Sequence, residues 1–241
     1  MNHAHIKPPS PILAFLEPRA ALEGMSLFAS APWLACVPRG DKRPVVLAPG
    51  FGASESSFRP MKAYLSWLGY EVYDWGLGRN KGKVEEYVHA LAERLKTLSK
   101  MHKDEPITLI GWSLGGVVMR EIARDYPELV REVITMGTPV IGGPKYTRVA
   151  ESFAEKAKVD MDALEKQIHE RNLRGIDCPI TAIYSKSDGI VAWRAAQDEY
   201  NAQARNIRVP GSHLGLGVNP VVWRIVAKTL GRKQGTRSNQ H

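Results

Sequence analysis

The chain has 241 residues, 44% hydrophobic and 24% charged, proportions that exclude a collagen-like, low-complexity or wholly disordered protein. Its 33 Lys and Arg against 25 Asp and Glu give a net charge of +8. The bases are scattered, with no compact basic stripe interleaved with aromatics, so the charge does not read as a DNA- or RNA-binding surface.

Residues 1–42 open with a Pro-rich stretch and continue with weak periodicity through 14–27, which predicts a short helix and an extended segment covering the core. The N-terminus lacks a basic region followed by an unbroken apolar run, so it does not read as a signal peptide. The most apolar early segment, 25–37, is interrupted by Ser26, Ser30 and Pro32 and is shorter than a bilayer span. Cys36 and Cys178 are too few for a disulfide scaffold, and neither has a metal-type CxxC partner. A soluble, cytoplasmic protein with reduced thiols is expected.

From residue 43 the pattern sharpens. Six short apolar runs, at 44–48, 71–75, 107–112, 132–136, 180–184 and 206–209, are rich in β-branched residues and suit buried strands of a parallel sheet. Helical periods lie between them, at 58–68, 84–98, 114–126 and 220–230. In the second, Val84, Val88, Leu91, Leu95 and Leu98 form one apolar stripe across a charged segment. Such alternation predicts one α/β domain over 43–231, its mostly parallel sheet covered by helices on both faces. A basic tail, 232–241, follows. The stretch 139–177 is too long for a simple crossover and carries two helical periods, the second N-capped by Asp160. Its position predicts a helical cap over the site.

Chemistry enters at Gly111-Trp112-Ser113-Leu114-Gly115, directly after a predicted strand and before a helix. A serine presented on a sharp strand-to-helix turn needs small residues two positions either side, and the helix start directs its dipole at developing negative charge. A nucleophilic serine also needs a base and an orienting carboxylate. Of seven histidines, His3, His5 and His241 fall in predicted tails, while His89, His102 and His169 fall in or beside charged helical stretches. His213 differs: it lies in Pro210-Gly211-Ser212-His213-Leu214-Gly215, between the last strand and the last helix. Asp188 occupies the equivalent place after the strand at 180–184. The rival acid, Asp177, precedes that strand and so falls at the wrong end of the sheet. Pro49-Gly50-Phe51-Gly52-Ala53-Ser54 follows the first strand and lets backbone N–H groups approach a carbonyl oxygen; the amides of Phe51 and Leu114 are the candidate oxyanion donors. That loop lacks the lysine and spacing of a phosphate-binding loop.

Together these elements resemble the α/β-hydrolase superfamily, and within it small bacterial lipases and esterases, over residues 43–231. The resemblance implies the α/β-hydrolase fold and carries the nucleophile–acid–histidine order onto Ser113, Asp188 and His213. Pro49, Trp112 and Val140 stand where lipases often have histidine. The implied function is hydrolysis of carboxylic esters through an acyl-enzyme, with no metal and no organic cofactor. An acyltransferase or thioesterase on the same triad, and a non-catalytic binding module of the same fold, are the alternatives. Trp112, Val140, Ile141, Val191 and Leu214 cluster in sequence around the catalytic loops and are expected to line an apolar pocket for a small ester or lipid-like substrate. Contact with a lipid surface would be transient, and the oligomeric state stays open.

Overall fold

The four central runs pair into one sheet because each is too apolar to leave either face in water, and two partly exposed runs close its edges. A computed structural model describes His3 and residues 5–232. It contains β1 (Pro44–Ala48), β2 (Glu71–Asp74), β3 (Ile107–Trp112), β4 (Val130–Met136), β5 (Ile180–Ser185) and β6 (Arg205–Val209). All neighbours are parallel, in the order β2-β1-β3-β4-β5-β6. Val46 pairs with Leu109, and Leu109 with Val133, so the central register aligns buried residues across three strands. The chain steps from β1 out to β2 and then back across to β3. That reversal leaves the loops after β1 and β3 side by side at the carboxyl edge, where open α/β sheets place their ligands.

Strand residues alternate between two apolar layers. Val45, Leu47, Ile110, Ile134 and Ile183 pack with α4 (Arg59–Leu68) and α9 (Pro220–Leu230). Val46, Ala48, Leu109, Val133 and Ile180 pack with α5 (Val84–Met101) and α6 (Leu114–Asp125). Each fully buried aliphatic side chain contributes roughly 1.5–3 kcal/mol. Local signals set the helix ends. Gly69 closes α4 in the left-handed conformation at φ 104°. Asn219 caps α9, its side chain accepting the amide of Val221 at 2.8 Å.

Two predicted regions differ from expectation. Where a short helix and an extended segment were expected in 1–42, the described residues fold into α1 (Pro11–Phe15), a 3-10 turn at Glu17–Arg19, α2 (Ala20–Ala29) and α3 (Ala31–Ala35). Pro11, Pro18 and Pro32 each open a helical piece at its first or second position, which breaks the segment into short lengths. The stretch from Ile12 to Glu23 is inside-out: Ile12, Phe15, Leu16 and Leu22 are exposed, whereas Glu17 is buried and Arg19 and Glu23 are turned inward; further on, Leu27 and Leu34 pack against the core. His3, predicted in a tail, is buried near His169 and Tyr200.

The insertion at 139–177 holds α7 (Ala150–Ala157) and α8 (Met161–Asn172), with Asp160 capping α8 by accepting the amides of Asp162 and Ala163. However, α8 is tied to the body rather than suspended over a pocket. Arg171 pairs with Glu121 and Asp125 of α6, and Asn172 accepts from Arg124 at 2.9 Å and donates to the Val140 carbonyl at 2.9 Å. The partners in α6 lie toward its end remote from Ser113, so α8 serves as the crossover helix between β4 and β5. At the carboxyl edge, where Ser113 and His213 lie, α7 starts close by: Arg148 donates its amide to the Ile190 carbonyl at 2.8 Å, two residues from Asp188. Of the predicted basic tail, all but Arg232 lies outside the described residues.

Candidate active site

Ser113 sits at φ 54°, ψ −123°, a conformation that costs a non-glycine residue about 1–3 kcal/mol and persists only when its surroundings enforce it. They do so by close backbone packing. A Cβ on Gly115 would lie 2.2 Å from the Ala48 carbonyl oxygen, and one on Gly111 would lie 2.3 Å from Gly116 Cα. The Ser113 amide donates to Met136 at 2.8 Å, fixing the turn to the neighbouring strand. The hydroxyl therefore projects from a tight turn at the start of α6.

His213 and Asp188 are both buried, and His213 Nδ1 donates to Asp188 Oδ2 at 2.7 Å. The other carboxylate oxygen accepts the amides of Ile190 and Val191, each at 2.8 Å. With Nδ1–H committed to a carboxylate, Nε2 is the free base of the ring. Gly137, at φ 56°, presses against this pair: a Cβ there would lie 2.9 Å from His213 Nδ1 and 3.1 Å from Asp188 Oδ2. Trp112, next to Ser113, donates its indole N–H to the His213 carbonyl at 3.2 Å. Serine and histidine thus share one edge of the sheet, although no hydrogen bond joins Ser113 Oγ to His213 among the described residues. Asp177 lies before β5, at the opposite edge.

The amides of Phe51 and Leu114 donate to no group among the described residues. Asn80 keeps the loop after β1 in this state. Its side-chain amide donates to the Pro49 carbonyl at 2.8 Å, its carbonyl accepts from the Gly52 amide at 2.8 Å, and its amide donates to the Ala53 carbonyl at 2.9 Å.

The five residues expected to line a pocket divide. Leu214 is exposed beside the histidine, and Phe51 is exposed near Leu114 and Gly82. Val140, Ile141 and Val191 are buried core residues, with Ile141 and Val191 packed among Tyr146 and Tyr184. All three pack inward, so proximity in sequence to the loops of Ser113, Asp188 and His213 did not bring them to the surface. Trp112 is half-buried behind the histidine, its ring 6.3 Å from Phe58 and perpendicular to it. It braces the His213 loop. Asn80 and Gly137 escaped sequence reasoning; their signals were a polar residue set between Gly78 and Gly82, and a glycine closing β4.

Beside α7, Lys145 donates to Asp162 and Glu165, and the Tyr146 hydroxyl donates to Glu165. Burial and this hydrogen bond push the Tyr146 hydroxyl up to about 12. No cluster of three His, Cys, Asp or Glu that could hold a metal ion occurs among the described residues, and no helix there is long and apolar enough to cross a membrane.

A family model for the alpha/beta hydrolase fold matches residues 43–164. The chain belongs to the α/β-hydrolase family. A pimeloyl-[acyl-carrier protein] methyl ester esterase from Shewanella woodyi is 31% identical over 103 residues, 41% of this chain and 37% of that protein. The polyketide synthase ThaQ of Burkholderia thailandensis is 33% identical over 130 residues, 52% of this chain and 6% of that protein. The aligned stretches thus span well under two thirds of either relative. Among solved structures, a lipase-esterase related protein from Clostridium acetobutylicum superposes with a TM-score of 0.56 at 21% identity, covering 80% of this hydrolase-family chain and 98% of its own. At that identity the likeness is one of fold.

Proposed function

We propose that this α/β-hydrolase is a serine hydrolase that cleaves carboxylic esters through Ser113, His213 and Asp188. The observation carrying the reading is the buried 2.7 Å bond from His213 Nδ1 to Asp188, on the edge where Ser113 projects from its strained turn. In the reaction His213 Nε2 takes the Ser113 proton as the oxygen attacks the ester carbonyl, and Asp188 stabilises the imidazolium. The Phe51 and Leu114 amides receive the oxyanion, each contributing about 3–4 kcal/mol to the transition state. The imidazolium then protonates the departing alcohol, and a water deprotonated by His213 releases the acid and restores Ser113. Hydrogen bonds of this kind are often long before substrate binds, which fits an unbonded Ser113 hydroxyl.

Phe51, Leu114 and Leu214 offer the apolar surface for the acyl chain, and α7, starting beside the Asp188 loop, is the part of the insertion left to act as a cap. The substrate class is a small or lipid-like ester, acted on without a metal or organic cofactor. A cytoplasmic setting fits the exposed thiol of Cys36. Thioester cleavage or acyl transfer on the same triad is the second reading, favoured by the partial match to a polyketide synthase. The test is a panel of p-nitrophenyl esters from short to long acyl chains, run beside an acyl thioester, with Ser113→Ala as control. Ester turnover that disappears in Ser113→Ala supports the reading. Turnover of the thioester alone would favour the second, and turnover retained by Ser113→Ala would sink both.

A further inference from the structure

The histidine and acid loops are held from outside by a segment almost two hundred residues away in the chain. Glu17 is only 5% exposed, and its carboxylate accepts three backbone amides. Oε1 accepts from Gly189 at 2.7 Å and from His213 at 2.9 Å, while Oε2 accepts from Leu214 at 2.8 Å. Arg19 donates to the Ser187 carbonyl at 2.6 Å, and Glu23 accepts the Ser212 amide at 2.8 Å. The loops are shaped to receive this segment. A Cβ on Gly189 would lie 2.4 Å from the Leu13 carbonyl oxygen, and one on Gly215 only 1.7 Å from Glu23 Oε2.

We propose that Glu17 is a positioning residue for His213, and that residues 13–23 form a strap fastening the histidine loop to the acid loop. The inference rests on Ser113, Asp188 and His213 acting as the triad. Its core is the sharing of one oxygen: Glu17 Oε1 binds the amide of the base itself and the amide of the residue after the acid. Fixing both amides to one atom fixes the separation of the two loops, and with it the Nδ1-to-Oδ2 bond. Charge-assisted bonds are short and directional, and three of them on a buried carboxylate leave it little freedom. This also explains the inside-out character of the segment, whose inner face meets loop amides rather than an apolar core.

Glu17→Gln keeps the size of the side chain but replaces one acceptor oxygen with an NH2 group facing an N–H. Displacing a catalytic group by about 1 Å can cost 10²-fold. In a folded Glu17→Gln protein, kcat for p-nitrophenyl acetate should fall about 10- to 100-fold while KM stays within about twofold. The low-field proton resonance of His213 Nδ1–H should weaken or vanish. Glu23→Gln, whose carboxylate meets Ser212 and Arg19 but not the amide of His213 or of Gly189, should lose less. Wild-type kcat in folded Glu17→Gln overturns the proposal, as does an activity loss equal to its unfolded fraction or a failure of the variant to fold, either of which would assign Glu17 to stability alone. If the wild type shows no Ser113-dependent hydrolysis, the esterase reading fails instead. The His213 proton then decides for Glu17 by itself, and its persistence in Glu17→Gln overturns the strap.

Discussion

Around Ser113 the backbone holds itself. The strained turn is enforced by residues within five positions and by carbonyls of the adjoining strands, with Gly111 and Gly115 admitting contacts that any side chain would block. Around His213 the backbone is held by side chains: Glu17, Glu23, Trp112 and the carboxylate of Asp188 all bond the loop or its ring. Packing that depends on hard-sphere contact tolerates almost no substitution, whereas a loop held by several hydrogen bonds should lose function in steps. Ser113 is therefore set by a local rule, and His213 by long-range partners.

The largest effect should come on the histidine side, from the acid. Asp188→Asn should lower kcat about 10⁴-fold by favouring the wrong imidazole tautomer, while Asp177→Asn, at the opposite sheet edge, should leave kcat nearly unchanged. Steady-state kinetics on a short ester reads both, and reversal of the two effects would contradict the assignment of the acid. On the Ser113 side, Gly115→Ala should destabilise the fold by about 3 kcal/mol, the upper end for overpacking, because its Cβ meets the Ala48 carbonyl oxygen. A denaturant midpoint shifted by less than about 1 kcal/mol would show that the turn can relax and would blur the contrast between the two sides. A graded loss is expected for Trp112→Phe, which keeps the ring against Phe58 but removes the bond to the His213 carbonyl. One hydrogen bond of about 1 kcal/mol corresponds to a kcat roughly fivefold lower, with little change in melting temperature.

The smallest effect concerns the insertion. Burial opposes the ionised form of Glu165, but hydrogen bonds from Lys145 and Tyr146 outweigh it and hold its carboxyl below the ordinary 4.5. A depressed carboxylate stabilises the fold above its unfolded value and loses that contribution as pH falls through the folded one. Protection factors in α7 and α8, corrected for the intrinsic pH dependence of amide exchange, should thus stay high at pH 6 and fall below about pH 4.5, and Glu165→Gln should show the lower protection already at pH 6. A pH-independent difference between the two proteins would remove this ion pair from the hold on the insertion.

What could be read from sequence follows the same division. The strands β1, β3, β4 and β5 were legible because burial on both faces writes continuous apolar runs, the edge strands β2 and β6 only as shorter, partly exposed runs, and the α4, α5, α6 and α9 helices because one-sided burial writes 3.6-residue stripes. Ser113 was legible because its turn is encoded within five consecutive residues. Asp188 and His213 were legible only by position, each just past a strand. Nothing near them in sequence announces that Glu17 lies against them, because hydrogen bonds from a carboxylate to backbone amides place no demand on the identity of the partner residues. The hint was compositional: charges at Glu17, Arg19 and Glu23 in a segment otherwise apolar on its outer side. Val140, Ile141 and Val191 misled for a related reason, since an apolar residue beside a catalytic loop has the same letter whether it faces a substrate or the core. The 139–177 insertion was legible as two helices, but the ties of Arg171 and Asn172 to α6 are set by tertiary packing and carry no local signal.

The role of Ser113 is tested most directly by a fluorophosphonate probe, which reacts covalently with an activated serine. The wild type should take up one label per chain, located by peptide mass at Ser113, and Ser113→Ala should take up none. Labelling that persists in Ser113→Ala, or a folded wild type that resists the probe, would contradict the assignment of Ser113 as the nucleophile.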